Sequence, residues 1–331
     1  MISSRTIGAA VFTLASVASR GAAADGYAAV GIGTSSRARF ATAAEAGDVL
    51  TRRDGFVSTM SPFDRSARLE VGREVPEKEY LAFVAKEVRE WSAAERGLLR
   101  PILDQFREMT AKWKMDFPAE VLFLKTTGRE EGRAAYCRGA AVVLPETELA
   151  DAGKLRDTVF HELFHVYSSH HPELRRELYE VVGFEVCPEI ELPPALAKRR
   201  LTNPDAPRMD AFIRLRLGGE TVAATPVLLG RSDLYDEKVG GPFFRQMDFR
   251  LLVLGEGGGG SAPRPALSPD GAPRFVPPGD DYMARIGRNT EYILHPEEIL
   301  ADNFVLLVNG AKAPSPEILQ KLDAVLRTPK R

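Results

Sequence analysis

The sequence predicts an α+β fold with a mixed sheet. Amphipathic periods over residues 76–113, 152–182 and 296–328 read as helices, with apolar residues three and four apart. Apolar runs of strand length at 119–126 and 134–145 are separated by the turn-forming TGREEGR. A third tract, 211–254, is β-rich and punctuated by Gly and Asp.

In chain order, residues 1–24 have the layout of a signal peptide. Arg5 comes early, an apolar run spans Ile7 to Ala18, no acidic residue precedes Asp25, and GAAA offers a cleavage site. This predicts a periplasmic or secreted protein; an acid-poor start with Arg and Ser also fits an organelle transit peptide. Residues 25–75, rich in Ala, Ser, Gly and Arg, show weak periodicity and are expected to be loosely structured. The main folded domain is expected over 76–331. It opens with a helix carrying Leu81, Val84 and Val88, then a second one beginning at a Ser92–Glu95 capping box, with Pro101 as a site for a kink. Asp151 is placed to cap the next helix, which buries Leu155, Val159, Leu163 and Val166. A helical stretch runs on to Gly183, followed by a β-rich insertion over 184–254. The Gly- and Pro-dense 255–281 reads as a mobile loop. A helix starting near Pro296 and a closing one capped by Ser315 complete the chain.

Of 331 residues, 27% are charged and the net charge is −2, which gives no nucleic-acid footprint. No apolar run reaches the ~18–20 residues a membrane span needs. Cys137 and Cys187 are the two cysteines, either one disulfide or two free thiols, so a metal site must rest on His and carboxylate.

Four of the five histidines fall in RDTVFHELFHVYSSHH, 156–171. His161 and His165, at i and i+4 on one helix face, bring two imidazoles within reach of one ion. Glu162 emerges beside the open side, where a carboxylate can take a proton from the attacking water. A catalytic zinc needs a third protein ligand. Glu185, twenty residues on, is one candidate. The favoured one is Glu298 in HPEEILADNF, with Asp302 one turn later to accept the outer N–H of a ligating histidine, and with Glu297 as the neighbouring alternative. No other aspartate has a glutamate four residues before it.

With these motifs, Pro118–Asn309 resembles the gluzincin zinc metallopeptidases, the thermolysin-like clan, and HPEEILADNF is similar to a segment of bacterial zinc-peptidase-like sequences. The resemblance implies a zincin-like domain with one Zn²⁺ per chain on His161, His165 and Glu298, Glu162 as general base, and a peptide or protein substrate. The two motifs stand more than a hundred residues apart, against a few tens in thermolysin. Tyr292 and His295, just before the second motif, are the candidates to stabilise an oxyanion. The strand YCRGAAVVLP could offer an edge to an extended substrate. His170 and His171 are expected to be solvated or capping. Two other readings stand beside this one. A non-haem Fe(II) enzyme uses the same two-His, one-carboxylate set but has no need of Glu162. An exported metal-binding or scaffold protein would be non-catalytic.

Overall fold

The computed structural model describes residues 29–255 and 262–328. The signal-like segment 1–24 and the glycine run of the 255–281 loop lie outside the described residues. The chain is α+β, with one mixed and one antiparallel sheet.

The N-terminal segment corrects the expectation of loose structure. It forms β1 (Val30–Gly31), β2 (Arg37–Phe40), α1 (Ala43–Leu50), α2 (Gly55–Thr59) and α3 (Pro62–Leu69). These elements are too short for periodicity to register, yet their local chemistry is sound. β2 buries Ala38 and Phe40 and turns Arg37 and Arg39 to its other face. Thr42 with Glu45, and Ser61 with Asp64, make reciprocal capping boxes for α1 and α3.

α4 (Glu77–Glu87) runs into β3 (Val88–Arg89), and α5 (Ala93–Thr110) starts at the expected Ser92–Glu95 box and continues through Pro101. β4 (Glu120–Thr126) follows. The run expected as one strand over 134–145 is a hairpin, β5 (Tyr136–Arg138) and β6 (Ala141–Pro145), reversed at Gly139 with φ 60°. The first sheet has the order β1-β2-β4-β6-β5, with β3 also on β4. β2, β4 and β6 are parallel, and β5 is an antiparallel edge. Alternation gives this sheet two covered faces. Phe123, Val142 and Leu144 join the main core with α5 and α6 (Ala152–His170), while Leu124, Ala141 and Val143 pack on α1, α2 and α4.

After α7 (Arg175–Val181) come β7 (Phe184–Val186), α8 (Pro194–Ala197), β8 (Ala211–Leu217), β9 (Glu220–Gly230) and β10 (Met247–Gly255). The strands form the second, antiparallel sheet. Gly230 sits where a Cβ would come within 2.5 Å of the Phe63 ring, so β9 can meet α3 only with glycine there. The described part of 255–281 is not a free loop. Its β11 (Arg264–Pro265) and β12 (Phe275–Val276) both pair antiparallel with β10. α9 (Asp280–Ile286), α10 (Pro296–Val308) and α11 (Pro316–Arg327) close the chain. Ser315 precedes α11 but does not cap it with its side chain; its hydroxyl accepts from the Arg288 amide instead. Among the described residues, no helix is long and apolar enough to cross a membrane. Cys137 and Cys187 are both free thiols.

A buried charge cluster pins α3 to the rest, and a second buried acid lies beside it in sequence. Arg68, fully enclosed, donates to Asp64 at 2.8 Å, to both oxygens of Glu131 at 2.6 and 2.8 Å, and to the Thr202 carbonyl at 3.0 Å. Burial disfavours its charge, but Glu131 and Asp64 more than offset that. Next to it, Glu130 is buried with one oxygen unpartnered, and burial pushes its carboxyl from 4.5 up to about 7. The folded state therefore holds more protons than the unfolded chain between those values. Stability is expected to fall as pH rises from about 4.5 to about 7 and to be flat above, by up to about 3 kcal/mol for this group. Denaturant titrations of wild type and Glu130→Gln at pH 5 and pH 7 check this. The variant should be less sensitive to the rise in pH, and identical differences in the two proteins would refute it.

Candidate metal centre

α6 begins where Asp151 accepts hydrogen bonds from the Gly153 and Lys154 amides, the cap expected from sequence. Phe160, Leu163, Phe164 and Val166 are wholly buried in the main core, so packing holds the opposite face of the helix, with His161 and His165, at a fixed height against α10. α10 starts at Pro296, and the His295 side chain caps it, its Nδ1 accepting from the Glu297 amide at 3.2 Å.

The two helices bring the two motifs together. His161 Nε2 lies 3.1 Å and His165 Nε2 3.4 Å from the same atom, Glu298 Oε2. His161, His165 and Glu298 thus present ligand atoms all within 4.8 Å of one another, a group that could hold a metal ion. The outer nitrogens face away from it, each onto a carboxylate. His161 Nδ1 meets Asp302 Oδ1 at 2.9 Å, and His165 Nδ1 meets Glu297 Oε1 at 3.4 Å. Asp302 is itself bonded by the Thr290 hydroxyl. Glu297 accepts from Ser168 at 3.1 Å and Tyr179 at 2.9 Å. Glu297, the alternative ligand from sequence, is therefore turned from the cluster and orients His165. Glu298 is steadied by Asn203, whose amide donates to its other oxygen at 2.5 Å.

The electrostatics suit a cation at this point. Burial opposes charge on Glu298, but His165 and His161 hold its carboxyl well below the usual range. Burial also opposes charge on the rings. Glu298 nonetheless draws His165 well above its ordinary value, and the bonds to Asp302 and Glu298 draw His161 up to about 10. The field that favours a proton on these rings equally favours a metal ion between them. His165 Nε2 is buried without a hydrogen-bond partner, an atom whose lone pair a metal would satisfy.

Glu162 lies beside this cluster, 3% exposed, with one oxygen 3.2 Å from the Cys137 sulfur. Burial raises its carboxyl above the ordinary value, and His165 and His161 oppose the rise. Burial and Glu162 together push the Cys137 thiol well up, so it remains a neutral donor. The Cys137 amide donates to Asp205 Oδ1 at 2.6 Å, which occupies that position on the outer edge of β5. Glu162, Asp205, Asp302, Glu298 and Tyr292 line a cleft of about 650 Å³ open to solvent. Tyr292 lies on its wall, its side chain partly exposed, and the nearby Glu298 carboxylate is the main cause that lifts its phenol well above the usual value and keeps it protonated.

Some sequence-based expectations fail here. Glu185 sits on β7, half exposed and bridged to Arg214 at 2.7 Å, with no place in the cluster. His295 is spent as the cap of α10 and rests against Tyr179, and burial lowers it to about 4. It does not line the cleft beside Glu162, but it lines the narrower cavity that adjoins that cleft. His170 and His171 are as expected: His170 is exposed, and His171 is the C-cap residue of α6, its amide donating to the Ser168 carbonyl while its ring bonds Glu173 at 2.7 Å and the Asp116 carbonyl at 2.9 Å. Asn203, Asp205, Cys137 and Thr290 escaped the sequence reading. The NPD turn at 203–205 was their one visible signal, and it reads as an ordinary polar loop.

Changing Glu297 to Gln or Asp302 to Asn is expected to weaken metal affinity by about 10–100-fold, because the ring each orients loses a basic partner. Competition against a chelator of known affinity measures this, and an unchanged affinity in both variants would refute it. Compared with protein-family models, with curated proteins and with solved structures, the chain matches none.

Proposed function

We propose that this chain is a zinc-dependent hydrolase that cleaves peptide bonds on a zincin-like domain. One observation carries the reading: both imidazole Nε2 atoms converge on Glu298 Oε2 while both Nδ1 atoms are held by carboxylates. That is the arrangement in which two neutral rings and one carboxylate serve a single ion. The borderline nitrogen and oxygen donor set, buried on one side and open to a cleft on the other, suits Zn²⁺ at a catalytic site. Zinc, when bound, supplies Lewis acidity toward a water and a substrate carbonyl.

The chain's own residues provide the rest. Glu162 reaches the cleft from the same helix turn as His161, where it accepts the proton of the attacking water and returns it to the leaving amine. Its enclosed setting raises its proton affinity above that of an ordinary carboxylate, which suits a group that must both take and give a proton. The Cys137 thiol donates to it and fixes its rotamer. Tyr292, protonated and on the cleft wall, is the donor available to a developing oxyanion. A base adjacent to the first histidine favours hydrolysis over oxygen chemistry on the same ligand set.

Elemental analysis of the purified protein tests the reading. One zinc per chain with cleavage of peptides supports it; no stoichiometric metal after zinc loading overturns it.

A further inference from the structure

The metal cleft continues into a narrower cavity of about 80 Å³, with Ala134, Ala135, Asp205, Phe244 and Tyr292 lining both. Its walls combine apolar residues, Met209, Val227, Leu228 and Phe243, with the carboxylates of Glu131, Asp205 and Asp210, of which Glu131 is paired with Arg68 and Asp210 with Arg175. Two arginines also line it, and they differ. Arg208 is exposed and paired with Glu189 at 3.2 Å. Arg200 is half-buried and donates one N–H to the Pro207 carbonyl, with no carboxylate in ion-pair range among the described residues. The acids that act on it from a distance are all engaged: Asp64 with Arg68, Glu189 with Arg208, Asp210 with Arg175. Burial lowers its proton affinity, but a guanidinium stays charged.

One N–H of the guanidinium is used by Pro207, and its remaining donors are not sealed off from the cavity it lines, so they are free to meet a group that enters. The planar fork matches a carboxylate better than any other common group. The apolar walls suit the carbon stem that carries one. We propose that Arg200 anchors a substrate carboxylate in this cavity, next to the scissile bond at Glu162. The hydrolase is then selective for peptides bearing an acidic side chain or a free C-terminus at that position. This rests on the hydrolase reading above and names its substrate class.

Three short alanine-rich peptides separate the sources: one with an internal glutamate and an amidated end, one neutral with a free C-terminus, and one neutral and amidated. Their binding is measured by calorimetry to the zinc-loaded Glu162→Gln protein, which should not cut them. One of the carboxylate-bearing peptides should bind about 10–100-fold more tightly than the neutral amide. Which of the two does so identifies the source. Arg200→Met added to that protein should erase the preference, and Arg200→Lys should restore part of it. Where Arg200→Met unfolds, Arg200→Gln, which can keep the Pro207 hydrogen bond, replaces it. Equal binding of all three peptides, or a preference that survives loss of the guanidinium, overturns the proposal. Cleavage by wild type without carboxylate preference overturns this subsite alone. Carboxylate preference through Arg200 in a protein that holds no zinc and cuts nothing supports the subsite and overturns the hydrolase reading.

Discussion

Glu162→Gln is expected to lower peptide hydrolysis by about 10²–10⁴-fold while leaving one zinc per chain in place. Glutamine keeps the size of the side chain and can still lie against Cys137 Sγ, but it cannot take a proton. Glu298→Ala should behave in the opposite sense. It removes the oxygen on which both imidazoles converge, and with it the stoichiometric zinc, so activity is lost because the ion is lost. The pair of variants separates chemistry from ligation. Elemental analysis and a peptide assay on both proteins provide the test. Zinc retained in Glu298→Ala would sink the ligand assignment, and hydrolysis undiminished in Glu162→Gln would sink the base.

The largest loss of stability is expected from Arg68→Met. The substitution leaves Asp64 and Glu131 enclosed with no cation between them, and removing one partner of a buried ion cluster costs about 3–5 kcal/mol. Glu131 already stands above the ordinary carboxylate value from burial, with Arg68 holding it down, so it would take up a proton on losing that partner. The loss should therefore be smaller at pH 5 than at pH 8, which denaturant titration at the two pH values measures. A change below about 1 kcal/mol at both would show that the cluster contributes little.

The two halves of the site were legible because each is carried by a helix with its own punctuation. HELFH sits behind an Asp cap, and HPEEILADNF announces itself by Pro at the first helical turn and an acidic pair one turn apart. That the two would meet across 137 residues followed from the need for a third ligand rather than from any pattern. The assignments that failed did so for identifiable reasons. Glu297 and Glu298 are adjacent, and only the rotation of α10 decides which faces the histidines. His295 has the chemistry of a donor, but a side chain one residue before Pro296 is well placed to cap instead. The N-terminal segment was unreadable because its helices run five to eight residues, too short for an apolar stripe. Its capping boxes were present in the sequence all the same. Starting a catalytic fragment at residue 76 would remove β2, whose backbone pairs with β4.

The ten-residue loop 201–210 touches both the Arg68 cluster and the candidate metal centre. At the first, Thr202 gives its amide and hydroxyl to Asp64 and its carbonyl to Arg68. At the second, Asn203 holds Glu298 and Asp205 holds the amide of Cys137. Two consecutive residues, Thr202 and Asn203, thus join the salt cluster of α3 to a grip on a proposed metal ligand. An ion that fixed Glu298 would therefore act on the same loop on which the Arg68 cluster leans, and the two sites are expected to be linked through it. By reciprocity, loosening that cluster with Arg68→Met is expected to weaken metal binding at His161, His165 and Glu298 without touching any of them.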